Sequence, residues 1–262
     1  MNTPSYTMSA LENAAKDPSI SVIIPTYKDD RTLAALLQNL HDMDVTEIII
    51  ADGEARPELP PNLRAQVSQS LQAKTTWIAA APKGRGSQIH TGINYARSDY
   101  IWILHADSRL GKTAPNAIRS LLANTRHSLG TFTLKFDSPD RALSLFAWVS
   151  RIDCRLTTFG DQGFFFRRKD YIKLGLDLTP YPLLEDVALR SALKTIGRIK
   201  RARVPIVTSA RRFKRQGIWA TQIFNARILW RYMRGDNPTA LYQDYYHPSP
   251  QVANTQRPSL PI

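Results

Sequence analysis

Residues 100–104, Tyr-Ile-Trp-Ile-Leu, form an apolar run of central-strand length, and His105, Ala106 and Asp107 follow at once. Ligands of open α/β sheets sit beyond the carboxyl ends of the strands, where a carboxylate can hold a metal or a polar group. Asp107 fits that role, and it fits equally a turn or a cap for a helix starting near Thr113. Lys83-Gly-Arg-Gly-Ser-Gln88 offers glycines, a helix start and two cations, which suits an anion cradle or a basic turn. It has neither the spacing of a P-loop nor that of the dinucleotide fingerprint. Asp52-Gly53 ends a β-branched run and can bind a base or ribose, or simply turn the chain. Glu185-Asp186 stands at a helix start, where acids favour the helix dipole and where one carboxylate can also act as a general base. Asp29 and Asp30 are N-cap candidates for the first helix. Arg211 and Arg212 follow a strand and can reach back to a diphosphate.

These residues need a scaffold, and the pattern around them supplies one. Residues 20–25, 47–51, 75–79 and 100–104 read as strands separated by helical segments at 31–40, 63–72 and 85–97. That alternation predicts a parallel sheet with helices on both faces. Polar residues recur at the strand ends: Thr26 to Asp29, Asp52, Lys83 with Arg85, and Asp107. The repetition marks one rim of one sheet. Further on, strands are expected at 130–136, 164–167 and 199–207, the last holding a proline and therefore near an edge. Helices are expected at 141–157, 185–196 and 218–233. Residues 160–163 read as a loop, 1–19 as a loose tail with some helix at 9–16, and 248–262 as a disordered, proline-rich tail.

A chain of 262 residues can bury a full core in one large α/β domain. The single cysteine, Cys154, excludes an internal disulfide and a multi-cysteine metal site, and reads as a packed thiol. No apolar run reaches transmembrane length and no signal peptide is visible, so a cytoplasmic setting is expected. The formal net charge of +13 points to phosphate-bearing ligands, nucleic acid or an anionic membrane. Much of it lies between Asp186 and Asp236, where Arg and Lys residues recur and no Asp or Glu occurs. Basic residues on helix 218–233 could meet anionic lipid, although packing of that helix on the core is the preferred reading.

Taken together these residues resemble the family 2 glycosyltransferases of the GT-A fold, over roughly residues 19–246. Ser21-Val-Ile-Ile-Pro25-Thr26-Tyr27 resembles the opening strand of that family. By the same resemblance Asp52 with Gly53 matches a base-contacting acid, and Lys83, Arg85 and Gln88 a basic glycine loop. His105-Ala106-Asp107 falls at the metal-binding Asp-x-Asp, and Glu185-Asp186 at the catalytic base. Leu104-His-Ala-Asp107 and Ser209-Ala-Arg-Arg-Phe213 are similar to a small soluble branch linked to arsenosugar biosynthesis and to radical-enzyme and selenium-domain gene neighbourhoods. The chain departs from the pattern in three places. His105 stands where the first metal acid would be, Glu54-Ala-Arg-Pro replaces a Ser-x-Asp segment, and Gln-x-x-Arg-Trp is absent.

The resemblance implies a metal-dependent inverting hexosyl- or pentosyltransferase with a Rossmann-like, mostly parallel sheet. Residues 20–110 would form the nucleotide-binding half and 111–247 the acceptor-binding half of one domain. Asp107, with His105, would hold Mg²⁺ or Mn²⁺ across the diphosphate of a nucleoside diphosphate sugar. Pro25, Thr26, Tyr27, Ala106, Arg211 and Arg212 would join the donor site, and Asp186, with Glu185 as the alternative, would take the proton of a small-molecule acceptor. A sugar-phosphate nucleotidyltransferase is a rival, but its glycine loop should follow the first strand directly, where Pro25-Thr-Tyr-Lys28 stands. A nucleic-acid-binding module is a weaker rival, because residues 190–214 hold only Phe213 among their bases.

Overall fold

The computed structural model describes residues 17–81, 84–152, 157 and 159–246. Lys83, Cys154 and both terminal tails therefore lie outside the described residues, as do the expectations attached to them. Strands β1 (Ile20–Thr26), β2 (Glu47–Asp52), β3 (Thr75–Ala79) and β4 (Tyr100–Ile103) are mutually parallel, in the order β3-β2-β1-β4. The sheet continues through β7 (Phe165–Arg167), β6 (His127–Phe136) and β8 (Arg198–Thr208) to a two-residue edge, β5 (Arg109–Leu110). β7 and β5 run antiparallel to their neighbours, whereas β6 and β8 are parallel.

Strand periodicity divides the core into two layers. Val22, Ile24, Ile48, Ile50 and Trp102 pack on one face with α1 (Asp30–Leu40) and α5 (Ala114–Ala123). Ile23, Ile49, Ile101 and Ile103 pack on the other with α4 (Arg85–Tyr95) and α8 (Glu185–Lys194). Such a two-faced core is what continuous β-branched strands require.

Three boundaries differ from expectation. The proline at 25 does not close β1, which pairs with β2 as far as Thr26. Pairing with β4 has already ended at Ile23, so Pro25 lies past the shared ladder. The segment 63–72 is two short helices, α2 (Pro61–Arg64) and α3 (Gln69–Ala73), because Ser68 caps the second. Helix α6 ends at Val149 (Arg141–Val149), with Ser150 as its C-cap. As expected, β8 lies near an edge, one strand in, and its register shifts between Arg201 and Pro205, so the proline sits at an irregularity. Helices α7 (Arg168–Leu174), α9 (Arg211–Gln216) and α11 (Pro238–Tyr246) were not anticipated, and α10 (Ile218–Met233) was.

Candidate active site

The carboxyl ends of β1, β2, β4 and β8 and the start of α8 share one rim. β4 brings His105, Ala106 and Asp107 there. The Ile103 N–H donates to the Phe164 carbonyl at 2.7 Å, which draws the strand end beside the 3₁₀ turn Gly160–Gln162. His105 Nδ1 then lies 3.5 Å from an Asp161 oxygen. His105 Nε2 is buried and has no hydrogen-bond partner among the described residues. Burial pushes the Asp107 carboxyl above its ordinary range, and Asp161 pushes the same way; His105 and the backbone N–H groups of Asp107 and Ser209 pull it back. Ser209 arrives because β5 pairs with β8, Arg109 opposite Val207. That pairing returns the chain after β8, with Arg211 at the start of α9, to the neighbourhood of Asp107. Arg211 is exposed there, and the Arg212 side chain lies outside the described residues.

Glu185 and Asp186 diverge. Asp186 is partly exposed, and its carboxylate accepts the Gly160 N–H and the Val187 N–H, each at 2.8 Å. A Cβ at Gly160 would lie 3.1 Å from His105 Nε2 and 3.5 Å from Asp186 Oδ2. Glycine therefore lets the His105 imidazole and the Asp186 carboxylate approach the same turn. Glu185 is buried, and one of its oxygens lies 3.2 Å from Arg85 Nε. Burial outweighs the Arg85 charge and pushes the Glu185 carboxyl up to about 7.

The glycine loop is not an open cradle. A Cβ at Gly84 would lie 2.6 Å from Pro182, and one at Gly86 would lie 2.2 Å from the Leu178 and Tyr181 carbonyls. Both glycines are filled by the chain itself, and they serve to dock α4 against the loop before α8. Gln88 is likewise buried, and its amide nitrogen donates to the Thr26 carbonyl at 2.6 Å and the Ala51 carbonyl at 2.8 Å. It ties together the ends of β1 and β2. Thr26 Oγ1 is buried without a hydrogen-bond partner among the described residues, and Tyr27 is exposed.

Asp52 is fully buried beneath Arg56. The guanidinium donates to both Asp52 oxygens, at 3.0 and 3.2 Å, and to both Asp30 oxygens, at 3.0 and 2.9 Å. It also lies 5.0 Å from the Trp77 ring centroid. The carboxylate that would meet a base is thus covered by the residue that replaces the acid of the Ser-x-Asp segment. Asp29 makes no side-chain cap bond, so neither acid at the start of α1 behaves as a cap: Asp30 pairs with Arg56. Sequence reasoning missed Arg56 and Asp161. The only signal for Asp161 was an acid flanked by Gly160 and Gly163 in a loop already noted.

A sheet of this order, with helices on both faces and its polar groups on one rim, is the GT-A architecture. The family model "Glycosyl transferase family 2" matches residues 21–174, more than half of the chain. The protein belongs to that family and is a glycosyltransferase. A search of curated proteins found no match. Among solved structures, the mannosyltransferase PcManGT from Pyrobaculum calidifontis, in complex with GDP-Man and Mn²⁺, superposes with a TM-score of 0.62 at 15% identity. That alignment covers 92% of this chain and 74% of that one. TarS 1–349 of S. aureus in complex with UDP-GlcNAc gives a TM-score of 0.56 at 14% identity, over 73% of this chain and 58% of that one.

Proposed function

We propose that the protein is a metal-dependent, inverting transferase that moves a sugar from a nucleoside diphosphate to a small-molecule acceptor. The observation that carries this reading is the convergence of His105, Asp107, Asp161 and Asp186 on one turn at the sheet rim. A relative in fold holds GDP-Man and Mn²⁺, and another holds UDP-GlcNAc. Residues 20–110 would carry the donor and 111–247 the acceptor, with membership of the arsenosugar and selenium-associated branch resting on the motifs at 104–107 and 209–213.

Among the described residues no group of three or more His, Cys, Asp or Glu side chains is set to hold a metal. Mg²⁺ commonly takes one or two carboxylates and completes its shell with water and substrate phosphates. Asp107, whose carboxyl feels the charge of His105, fits that kind of site, and Asp107 and His105, with its unpartnered Nε2, are the residues that would hold Mg²⁺ or Mn²⁺. The ion, when bound, supplies Lewis-acid neutralisation of the departing diphosphate. Arg211, with Lys83 and Arg212, would add positive charge at the same end. Tyr27, Thr26 and Gly53 would border the nucleoside, with Pro25 shaping that wall and Ala106 lying between the two metal residues.

Asp186 would accept the acceptor hydroxyl proton while that oxygen bonds to the anomeric carbon. The bond from that carbon to the diphosphate oxygen breaks on the opposite face, which inverts the anomeric configuration. The two N–H donors at 2.8 Å fix the Asp186 carboxylate in one orientation before the acceptor arrives. Glu185, buried against Arg85, would position that cation and the α8 start instead of touching the acceptor.

The test is nucleoside diphosphate release from a panel of nucleotide sugars and small acceptors, with Mn²⁺ and with EDTA. Release that needs both acceptor and metal supports the reading. Full release in EDTA removes the metal from it, and absence of release with every donor overturns it.

A further inference from the structure

Helix α10 buries only a narrow strip, formed by Thr221, Ile228 and Leu229. At about 100° per residue the opposite side carries Trp219, Ile223, Trp230 and Met233, with Arg227 and Arg234 set between and beyond them. Those four apolar side chains are 45% to 67% exposed, so this side of the helix stays open while the other packs on the core, as the sequence suggested. Arg234 stacks its guanidinium over Trp230, 4.6 Å from the ring centroid. A second helix adds to the same surface. The Phe146 ring of α6 meets the Trp219 ring edge-on at 5.5 Å, and α6 turns Leu145 and Trp148 outward, with Ile152 one turn further on. Leu143 and Ala147 face the core from the other side of α6.

We propose that this two-helix face is a docking surface for an anionic lipid bilayer. Three properties select that occupant. Indole rings and long aliphatic side chains suit the headgroup boundary, where the ring lies in an apolar layer and its N–H remains wet. Arg227 and Arg234 alternate with the apolar residues, and exposed Lys214 and Arg215 of α9 immediately precede them. No Asp or Glu lies between Asp186 and Asp236, and Asp236 and Asp244 are already paired with Arg231 at 2.7 and 2.6 Å. The α10 part of the face therefore presents one sign of charge, which complements acidic headgroups. The same arrangement disfavours a second copy, because a two-fold contact that pairs α10 with α10 would set this basic stripe against itself. Among the described residues no helix is long and apolar enough to cross a membrane, so the contact would be superficial.

The experiment is cosedimentation of the full chain with phosphatidylcholine vesicles, with and without phosphatidylglycerol, while tryptophan emission is followed. The expected result is binding to the acidic vesicles, accompanied by a blue shift and weakened by salt. Arg227→Glu with Arg234→Glu should weaken partitioning more than tenfold, at roughly one kcal/mol for each basic residue near the surface. Lys169→Glu with Lys173→Glu, on exposed positions of α7, changes the net charge equally and should leave binding unchanged. Trp148→Ser with Trp219→Ser and Trp230→Ser should abolish the blue shift. All these positions are exposed, and an unchanged melting temperature verifies that each variant folds. Equal loss in both charge-reversal variants overturns the proposal, because binding would then follow net charge and not this face. Absence of binding overturns it too, as does dimerisation that Trp219→Ser abolishes.

Discussion

Removing the Arg56 guanidinium should destabilise the protein through the carboxylate it leaves behind. Arg56→Ala deletes two side-chain bonds to Asp52 and two to Asp30. The two halves of this clasp are unequal. Asp30 and Arg56 keep 29% and 26% of their side chains exposed, so that pair is partly screened and contributes at most about 1 kcal/mol. Asp52 has 0% exposure, and an unpaired buried charge typically costs about 3–5 kcal/mol. The Arg56 backbone N–H still donates to Asp52 at 3.0 Å in the variant, which places the cost at the lower end. Loss of the stack on Trp77 adds about 0.5 kcal/mol. The sum, about 4 kcal/mol, corresponds to a fall of about 8–16 °C in melting temperature for a domain of this size. Thermal unfolding followed by circular dichroism measures it. Arg56→Ala combined with Asp52→Asn removes the orphaned charge and should recover more than half of the loss. An unchanged melting temperature for Arg56→Ala, or a double variant no better than the single one, would refute the reasoning.

Asp186→Asn should lower turnover by about 10²–10⁴-fold, the usual contribution of a general base, while donor affinity measured by calorimetry stays the same. Glu185→Gln should cost less, because Glu185 faces Arg85 and not the Gly160 turn; a dead Glu185→Gln beside an active Asp186→Asn would reverse the two roles. Glu185 also predicts a pH dependence of stability. Its native carboxyl titrates at about 7 against 4.5 ordinarily, so the native state holds the proton more tightly than the unfolded chain does. The stability from this group is fully present below about 4.5 and is lost as pH rises through about 7, by on the order of 3 kcal/mol. Urea midpoints of the wild type should fall across that window and those of Glu185→Gln should not; parallel curves would contradict the assignment.

Much of the rim was legible in the sequence because β1, β2 and β4 are each a short apolar run that ends abruptly in polar residues. Asp52 and Asp107 lie where that punctuation places them, and the Glu185-Asp186 pair lies at the helix start its acids suggest. What stayed hidden depends on partners distant in sequence. The Gly84 and Gly86 spacing suggested phosphate, but their space is taken by Leu178, Tyr181 and Pro182, nearly a hundred positions away. Arg56 looked like a loop residue because its partner Asp30 belongs to another element. Asp161 carries no periodic pattern, and only the pairing of β4 with β7 brings its turn beside His105. Helix α11 escaped notice because Leu241 is its one buried residue, too little to register as an amphipathic stripe.

On the proposed function a nucleoside diphosphate binds at the rim through a metal held by Asp107. Calorimetric titration of UDP and GDP with Mn²⁺ tests it directly, in the wild type and in Asp107→Ala. At least one nucleotide should bind the wild type, EDTA should weaken this binding, and Asp107→Ala should weaken it to the same level with or without metal. Equal, metal-dependent affinity in Asp107→Ala and wild type would contradict it.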